Sequence, residues 1–394
     1  MNKSLKRLSL MSEQESRLII GLMSGTSIDG LDIALCKFKG CGLQTKVELL
    51  QFETVPYDDE FRNDVRSISS KNQVDLQKLT LLNAKIAQLH ADMILNCLKN
   101  WKVDPKEIDC IASHGQTIYH APKRLHGFEN YPNATLQIGD GDHIAVKTGI
   151  ITLSDFRQKN IAAGGEGAPL ALYGDFIIFS SDQESRVFLN IGGIANFTYL
   201  PADKDSSKIV CTDIGPGNTI SDVFSQKYFN VAYDKDGNIA RSGKVNEKLL
   251  ETMLAHPFFK QNFPKTTGPE LFNLQFIEEA KLKANLQEIN PQDILATIAA
   301  LTAQTIVAAI KETLGDKPFT IYASGGGCHN KFIMEQISNL LPSVNVKQTQ
   351  DLGINPDAKE AVLFAVLANE TLCDSKVETG VGPAVTMGKI SLPS

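Results

Sequence analysis

The chain repeats one pattern near the start of each of its halves. Residues 19–35 hold an apolar run, a turn rich in glycine, serine, threonine and aspartate, and a second apolar run. The same order recurs as the apolar segment 187–191, Gly192-Gly193 and the segment 194–200. Apolar runs bounded by turn residues predict strands, so each segment predicts a β-hairpin. A chain built this way is expected to form two similar sheets.

Regular elements follow each hairpin. Residues 46–55 predict a third strand, and apolar residues at helical spacing predict a long helix over 75–100. Asparagine-proline pairs at 290–291 and 355–356 predict the starts of two helices that end near residues 314 and 372. Alternating strands and helices indicate a mixed α/β protein with two domains and a ligand cleft between them. Further predicted elements are strands at 108–113, 208–211 and 319–323, a helix over 330–341, and glycine-, aspartate- and proline-rich loops over 120–180.

Composition excludes several classes of protein. The chain has 394 residues, enough for two domains, and a net charge of −6, which argues against a nucleic-acid partner. Seven cysteines without a C-x-x-C pair predict free thiols in a reducing cytoplasm. Residues 1–16 lack a signal-peptide apolar stretch and are expected to form a loose tail or to lie upstream of a true start at Met11. The run 295–310 is too short and too interrupted by threonine and glutamine to span a bilayer, so we expect no membrane span.

The turn of the first hairpin carries an unusual set of polar residues. Ser24, Thr26, Ser27, Asp29 and Asp32 cluster among glycines. Glycine lets backbone N–H groups approach a phosphate, and carboxylates can hold its metal ion. The pattern therefore predicts a phosphate site, although it is no Walker loop and an ordinary glycine hairpin turn is the alternative.

Two glycine-containing segments in the second half suggest further site residues. Asp213 follows the strand predicted at 208–211 and precedes two glycines, which favours a general base; a carboxylate that caps the next helix is the alternative. Gly325-Gly326-Gly327 predicts close approach of backbone to an adenosine, with a plain strand-to-helix turn as the alternative.

Other polar residues are less specific. His114, His120 and His126 do not have a metal-site spacing, so loop histidines are the preferred interpretation. Arg157 suits a carboxylate or phosphate, but an Asp155–Arg157 pair is equally plausible. Glu360 in the first turn of a helix is also explained by the helix dipole.

Nine segments together resemble the anhydro-N-acetylmuramic acid kinase family over roughly residues 18–390. They are 21–32 (GLMSGTSIDGLD), 113–117 (SHGQT), 136–140 (LQIGD), 155–157 (DFR), 164–170 (GGEGAPL), 189–196 (LNIGGIAN), 213–218 (DIGPGN), 265–268 (KTTG) and 325–327 (GGG). This conjunction is far more specific than any one glycine loop.

The resemblance implies an actin-like ATPase fold of the actin/hexokinase/Hsp70 superfamily, with a ribonuclease-H-like core in each domain. It implies domain 1 over 17–160, with 375–394 packing back onto it, and domain 2 over 161–374. It also implies a cytoplasmic homodimer that uses ATP and Mg²⁺ on 1,6-anhydro-N-acetylmuramic acid. Water opens the anhydro ring and the freed O6 is phosphorylated, which feeds cell-wall recycling.

Carried over by residue, the resemblance makes Asp213 the base and places Glu360, Arg157 and His114 near the sugar, with Asp29 as the Mg²⁺ residue. The residues expected at the nucleotide are Gly25, Thr26, Ser27, Ile28, Asp29, Gly30, Leu31, Asp32, Gly192, Gly193, Gly325, Gly326 and Gly327.

The chain departs from the family pattern at Asn160, Glu166 and 171–175, where the family more often has Asp, Gln and Val-Pro-Ala-Phe-His. These departures motivate an alternative, a kinase for a different sugar on the same scaffold. A third hypothesis, a nucleotide-gated module that is not an enzyme, rests on fold analogy alone.

Overall fold

The computed structural model describes residues 2–376, 378–380 and 382–393. The chain divides into two compact units, unit 1 with Met1–Phe179 and Ile354–Ser394, and unit 2 with Ser180–Gly353. Unit 1 contains the strands β1 (Ser16–Ser24), β2 (Gly30–Lys39), β3 (Lys46–Pro56), β4 (Cys110–Ala121), β5 (Ala134–Ile138) and β6 (Ile151–Ser154). Unit 2 contains β7 (Arg186–Ile191), β8 (Ile194–Leu200), β9 (Val210–Pro216), β10 (Thr320–Ser324) and β11 (Asn345–Gln348), and β12 (Lys389–Ser391) returns to unit 1.

The helices of unit 1 are mostly N-terminal, and those of unit 2 follow its hairpin. In chain order they are α1 (Lys3–Glu13), α2 (Asp59–Arg66), α3 (Leu76–Trp101), α4 (Lys123–His126), α5 (Gly141–Thr148), α6 (Arg157–Ala162), α7 (Ala171–Phe179), α8 (Asn218–Phe229), α9 (Asn238–Ser242), α10 (Glu247–Leu254), α11 (Leu274–Lys283), α12 (Pro291–Leu314), α13 (Lys331–Leu340) and α14 (Lys359–Leu372).

Each unit is built on a sheet of the same topology. In unit 1 the order is β12-β6-β4-β1-β2-β3, with β5 beside β4. In unit 2 it is β11-β10-β7-β8-β9. Both sheets have three antiparallel strands in succession, and later strands run parallel on the other side of the first one. This duplicated order is the ribonuclease-H-like arrangement of the expected actin-like fold, so the predicted fold class is confirmed.

Most predicted elements are present, with small shifts at their ends. The third strand and the helices predicted at 75–100, 290–314 and 355–372 correspond to β3, α3, α12 and α14. The strand predicted at 108–113 continues as β4 to Ala121, so His114 lies within a strand. Similarly, β9 runs to Pro216, and Asp213 is inside it rather than after it.

Two expectations about loops are wrong. Residues 3–13 form α1 instead of a loose tail, and Met11 is buried. The buried Arg17 donates to the carbonyl oxygens of Met11 and Ser12 at the end of this helix, where carbonyl groups lack intrahelical partners. Residues 120–180 contain four helices, α4 to α7, and the two strands β5 and β6 instead of long loops. Their polar residues act as caps, as where Asp140 accepts from the backbone N–H of Asp142 at the start of α5.

The division into units differs from the predicted domain boundaries at 160/161 and 374/375. Helix α14 belongs to unit 1 because it packs directly on β1. At Gly21 the approach is so close that a methyl group would clash with the carbonyl oxygen of Ala361. Near the C-terminus, β12 pairs with β6 of unit 1.

Helix α12 passes through the core of unit 2. Its 24 residues are long and apolar enough to cross a membrane by length and composition. The expectation that this run is too short for a membrane span is therefore wrong. However, 83% of its most apolar window is buried inside the structure. Ile298, Ile306 and Ile310 are fully buried against strands and helices of unit 2, as in the core helix of a globular unit.

Candidate active site

The turn between β1 and β2 in unit 1 holds most of the residues expected at the phosphates. The backbone N–H of Ile28 donates to the carbonyl oxygen of Gly25 over 3.3 Å, and Ser27 Oγ donates to Asp29 over 2.8 Å. Ile28 has φ of 55°, an unfavourable value for a β-branched residue. Its buried side chain holds this conformation. Strain of this kind is concentrated at functional sites.

A buried hydrogen-bond network supports this turn from below. Tyr57 Oη lies 2.8 Å from His90 Nε2 and donates to Ser24 Oγ over 2.9 Å. Ser24 Oγ donates to Gln116 Oε1 over 2.6 Å, and Gln116 Nε2 donates to the carbonyl oxygen of Gly25 over 3.2 Å. All four side chains are buried. Sequence reasoning missed the network because Tyr57 and His90 lie far along the chain from the turn, although Ser24 and Gln116 stand in two of the motifs.

Asp32 stands at the start of β2, half-buried and near Asp29. Burial raises the pKa of Asp32, and the negative charges of Asp29 and Asp357 raise it further, whereas a 2.6 Å hydrogen bond from Thr54 lowers it. Excess negative charge beside a glycine turn is a suitable environment for a cation that accompanies phosphates.

His114 and Arg157, predicted independently, are in contact. Arg157 donates from Nε and Nη2 to His114 Nε2 over 3.2 and 3.1 Å, and from Nη1 to the carbonyl oxygen of Gly167 over 2.7 Å. The imidazole is buried and packs on Phe364 at 4.7 Å between ring centroids. Burial, and then the charge of Arg157, lower the pKa of His114 to about 3, so the ring is neutral.

The alternative Asp155–Arg157 pair is not formed. Asp155 instead pairs with Lys389 of β12. His114, expected at the sugar, is 3% exposed and lies behind Arg157. The geometry therefore gives His114 a supporting position instead of direct access to a ligand.

Glu360 lies one turn before Phe364 on the same face of α14 and belongs to the same cluster. The protein packed around its carboxyl raises the pKa of Glu360, although the side chain reaches solvent. Asp32 raises this pKa as well, whereas Lys359 and Arg157 lower it. Asp32, Arg157 and Glu360 are thus electrostatically coupled within unit 1.

The residues that depart from the family pattern have internal partners in unit 1. Asn160 Oδ1 accepts from the backbone N–H of Gly167 over 2.8 Å, and Glu166 pairs with Arg124 over 3.1 Å. Asp175 is buried and pairs with Lys359 over 2.9 Å. Asn160 therefore shapes the loop whose Gly167 carbonyl holds Arg157.

Asp213 projects from β9 of unit 2, between the buried residues Thr212 and Ile214. Its Oδ2 accepts the backbone N–H of Thr267 over 2.9 Å. Burial raises the pKa of Asp213, and this hydrogen bond lowers it. The carboxyl is half-buried and outside the packed interior, and it does not cap α8, for which no side-chain cap exists. The capping alternative is therefore wrong.

The segment that carries Thr267 is tied to β9. The backbone N–H of Asp213 donates to the carbonyl oxygen of Lys265 over 3.0 Å, and Thr212 Oγ1 accepts from the backbone N–H of Lys265 over 2.9 Å. The buried Lys265 ammonium lies 4.6 and 4.8 Å from the ring centroids of Phe258 and Phe263. These contacts fix the backbone donor beside the Asp213 carboxyl.

A row of polar residues crosses the sheet of unit 2. Asn190 of β7 is directly opposite Asn196 of β8 and Ser324 of β10, and Asn196 is opposite Asp213 of β9. Directly opposite residues point to the same face. Sequence reasoning did not select Asn190 and Asn196, whose place in the LNIGGIAN motif was the available signal.

The glycine turns of unit 2 have different packing roles. The carbonyl oxygens of Gly192 and Gly193 accept three backbone N–H groups at the start of α8. At Gly325 and Gly327 a side chain would clash with Asn190 or Ile191. The close approach inferred for this turn is therefore partly an approach to β7, whereas Gly326 lines a cavity of about 420 Å³.

No group of three or more His, Cys, Asp or Glu side chains within the described residues could hold a metal ion. The seven cysteines are free, as expected.

Comparison with known proteins gives the family. The model of the family described as anhydro-N-acetylmuramic acid kinase matches residues 17–391. A protein of that name from Pseudoalteromonas atlantica is 52% identical over 100% of both chains. One from Caldanaerobacter subterraneus subsp. tengcongensis is 41% identical over 98% of this chain and 100% of its own.

Similar solved structures are more distant. An activator of 2-hydroxyisocaproyl-CoA dehydratase from Clostridium difficile with bound ADPNP is 12% identical, with a TM-score of 0.38 over 91% of this chain and 96% of that chain. A ROK family glucokinase from Streptomyces griseus in complex with glucose and AMPPNP is 11% identical, with a TM-score of 0.35 over 89% and 98%. By its matching model and its full-length relatives, the chain belongs to the anhydro-N-acetylmuramic acid kinase family.

Proposed function

We propose that this enzyme uses ATP to convert 1,6-anhydro-N-acetylmuramic acid into N-acetylmuramic acid 6-phosphate during peptidoglycan recycling. The observation that carries the proposal is the family match over residues 17–391, supported by relatives of that name at up to 52% identity over the full length. Cytoplasmic localisation and a homodimeric state belong to the same proposal. The match leaves no support for a different sugar as the main substrate.

Asp213 is the proposed general base. Water attacks the anomeric carbon of the anhydro sugar, its proton passes to the Asp213 carboxylate, and the C1–O6 bond breaks. The freed O6 then forms a bond to the γ-phosphorus of ATP as ADP leaves. A raised pKa makes the carboxylate a better proton acceptor, and the Thr267 hydrogen bond leaves Oδ1 for the water.

The turn that contains Gly25, Thr26, Ser27 and Asp29 is the proposed phosphate site. Asp29 and Asp32 suit Mg²⁺, which prefers a few carboxylate oxygens together with water and phosphate oxygens. When bound, Mg²⁺ neutralises charge on the transferring phosphoryl group.

Arg157 is the proposed partner of the sugar's lactyl carboxylate. His114 and Gly167 occupy some of its N–H donors and fix the guanidinium plane. The remaining N–H groups on Nη1 and Nη2 are suited to a carboxylate. Glu360, coupled to Arg157, is proposed to accept from sugar groups, and His114 acts through Arg157.

Phosphorus-31 NMR tests the whole proposal. The enzyme is incubated with ATP, Mg²⁺ and the anhydro sugar, and a phosphomonoester on O6 with equimolar ADP is expected. A panel of plain hexoses run alongside should release little ADP. Preference for a hexose, or ADP release without dependence on sugar, would contradict the assignment. Sedimentation velocity checks the homodimer.

A further inference from the structure

Unit 2 contains a cavity of about 420 Å³ whose lining residues have no role in the proposed chemical steps. Helix α8 lines one side with Asn218 and Asp222, and Gly326 and Asn330 line another. Small-ligand pockets span roughly 300–1,000 Å³, so the cavity is large enough for a nucleoside. Gly326 is also one of the glycines proposed at the adenosine.

Three carboxylates border this cavity, and two of them have structural partners. Asp234 accepts the backbone N–H groups of Ile239 and Ala240 over 2.8 and 2.9 Å and so holds the start of α9. Asp236 pairs with Lys331 over 3.4 Å. Neither carboxylate needs a ligand to satisfy it.

Asp222 is different. Among the residues that the structure describes, it has no hydrogen bond or ion pair, and its side chain is half-buried. Burial raises the pKa of Asp222 to about 6, so the group is mostly ionised at neutral pH. A partly desolvated carboxylate without partners is stabilised by donors that reach both of its oxygens.

The parts of a nucleotide differ in what they offer such a group. Phosphates would repel it, and an adenine amino group offers one nitrogen at the edge of the ring. The 2′- and 3′-hydroxyls of ribose offer two neighbouring O–H donors that match the two oxygens. A carboxylate that binds ribose hydroxyls is also a recurrent solution in nucleotide sites.

We propose that Asp222 accepts hydrogen bonds from the ribose hydroxyls of the nucleotide and makes the enzyme select ribonucleotides over deoxyribonucleotides. The inference rests on the proposed use of ATP and adds a specificity residue to it.

Isothermal titration calorimetry at pH 7.5 tests this with Mg²⁺ complexes of ATP, 2′-deoxy-ATP, 3′-deoxy-ATP and inosine triphosphate. The wild type is expected to bind ATP about tenfold more tightly than either deoxy analogue, since hydrogen bonds to charged groups discriminate by at least this factor. In Asp222→Asn the preference should fall to about twofold or less, mainly through weaker ATP binding. Asp236→Asn removes the same charge from the same cavity wall and should keep the wild-type preference.

Other results would overturn the inference. Equal affinity of the wild type for ATP and both deoxy analogues, or an unchanged preference in Asp222→Asn, excludes a ribose contact. A change confined to inosine triphosphate would assign Asp222 to the base instead. Circular dichroism confirms that the variants are folded, and Asp222→Ser provides a second substitution. Sugar-dependent ADP release by the wild type is measured separately, so loss of the ribose assignment leaves the kinase assignment standing.

Discussion

Thr267 holds Asp213 through a backbone hydrogen bond of 2.9 Å to Oδ2. The donor is a main-chain N–H, which any residue except proline provides at position 267, and an asparagine at position 213 could still accept from it. Asp213→Asn therefore tests proton acceptance with little change in geometry.

The expected result for Asp213→Asn is a fall in kcat of about 10²–10⁴, because general-base catalysis contributes roughly this factor. ATP affinity should remain within about twofold of wild type by calorimetry. Asp316→Asn, an exposed change in the same unit, is the control and should retain activity. A near-normal kcat in Asp213→Asn would remove Asp213 from its proposed role.

Tyr57→Phe tests the network beneath the phosphate turn. Loss of the hydroxyl leaves Ser24 and His90 without their shared partner, which should lower the free energy of unfolding by about 1–3 kcal/mol. Because the network supports Gly25, KM for ATP should rise several-fold with little change in KM for the sugar. Urea unfolding and steady-state kinetics measure both effects.

Tyr119→Phe is the matched control, since its hydroxyl contacts Asn72 at an exposed position. It should leave stability and both KM values nearly unchanged. If Tyr57→Phe raised the two KM values equally, the network would support the unit as a whole instead of the turn.

Arg157→Lys tests recognition of the lactyl carboxylate. The charge remains, but the planar pair of donors and the contacts to His114 and Gly167 are lost. KM for the anhydro sugar should rise about tenfold, as expected when a charge-assisted bidentate contact is lost. ATP affinity should hold, and Arg124→Lys at an exposed pair is the control. An analogue without the lactyl group should not distinguish wild type from Arg157→Lys; if it does, Arg157 has another partner.

Glu360→Gln is expected to change stability in a pH-dependent way. The folded protein raises the pKa of Glu360 above its ordinary value of 4.5, so the stabilising contribution of its carboxyl is complete below that value and is lost as pH rises through the folded pKa. Asp32 and Asp175 reinforce this effect, whereas Lys359 and Arg157 oppose it.

A glutamine cannot ionise, so Glu360→Gln should melt above wild type at pH 8 by calorimetry and lose this advantage near pH 4. Glu129→Gln, at an exposed position, should match wild type at both values. A lower melting temperature for Glu360→Gln at pH 8 would show that the ion pairs outweigh burial and repulsion.

The fold was largely predictable because its signals are local. Apolar runs and glycine turns predicted both hairpins, and asparagine-proline pairs predicted the starts of α12 and the turn leading into α14. The features that the sequence did not predict depend on tertiary contacts. Residues 3–13 are polar enough to suggest a tail, but tertiary hydrogen bonds hold α1: the buried Arg17 donates to carbonyl oxygens at its end, and Arg7 donates to the carbonyl oxygen of Ile108. The placement of α14 in unit 1 depends on a contact between residues 21 and 361, which no local pattern reveals.

Site prediction was limited in the same way. The motifs selected His114 and Arg157 separately. Sequence spacing does not show that His114 Nε2 accepts hydrogen bonds from the Arg157 guanidinium. His90 and Tyr57 lie outside the motifs. They support the phosphate turn through a buried hydrogen-bond network, which only the folded structure reveals. Asn196 gains its interest only from the register that sets it opposite Asp213.

The missing side chain at Gly21 has a mechanical consequence. Strand β1 ends at the turn proposed for the nucleotide, and α14 begins at the carboxylate proposed for the sugar. The two backbones approach most closely between Gly21 of β1 and Ala361 in the first turn of α14. Since residue 21 has no side chain to deform between them, a displacement of either element should move the other as a rigid body. Binding at one of the two proposed substrate sites should then change the binding free energy at the other, without a dedicated hinge.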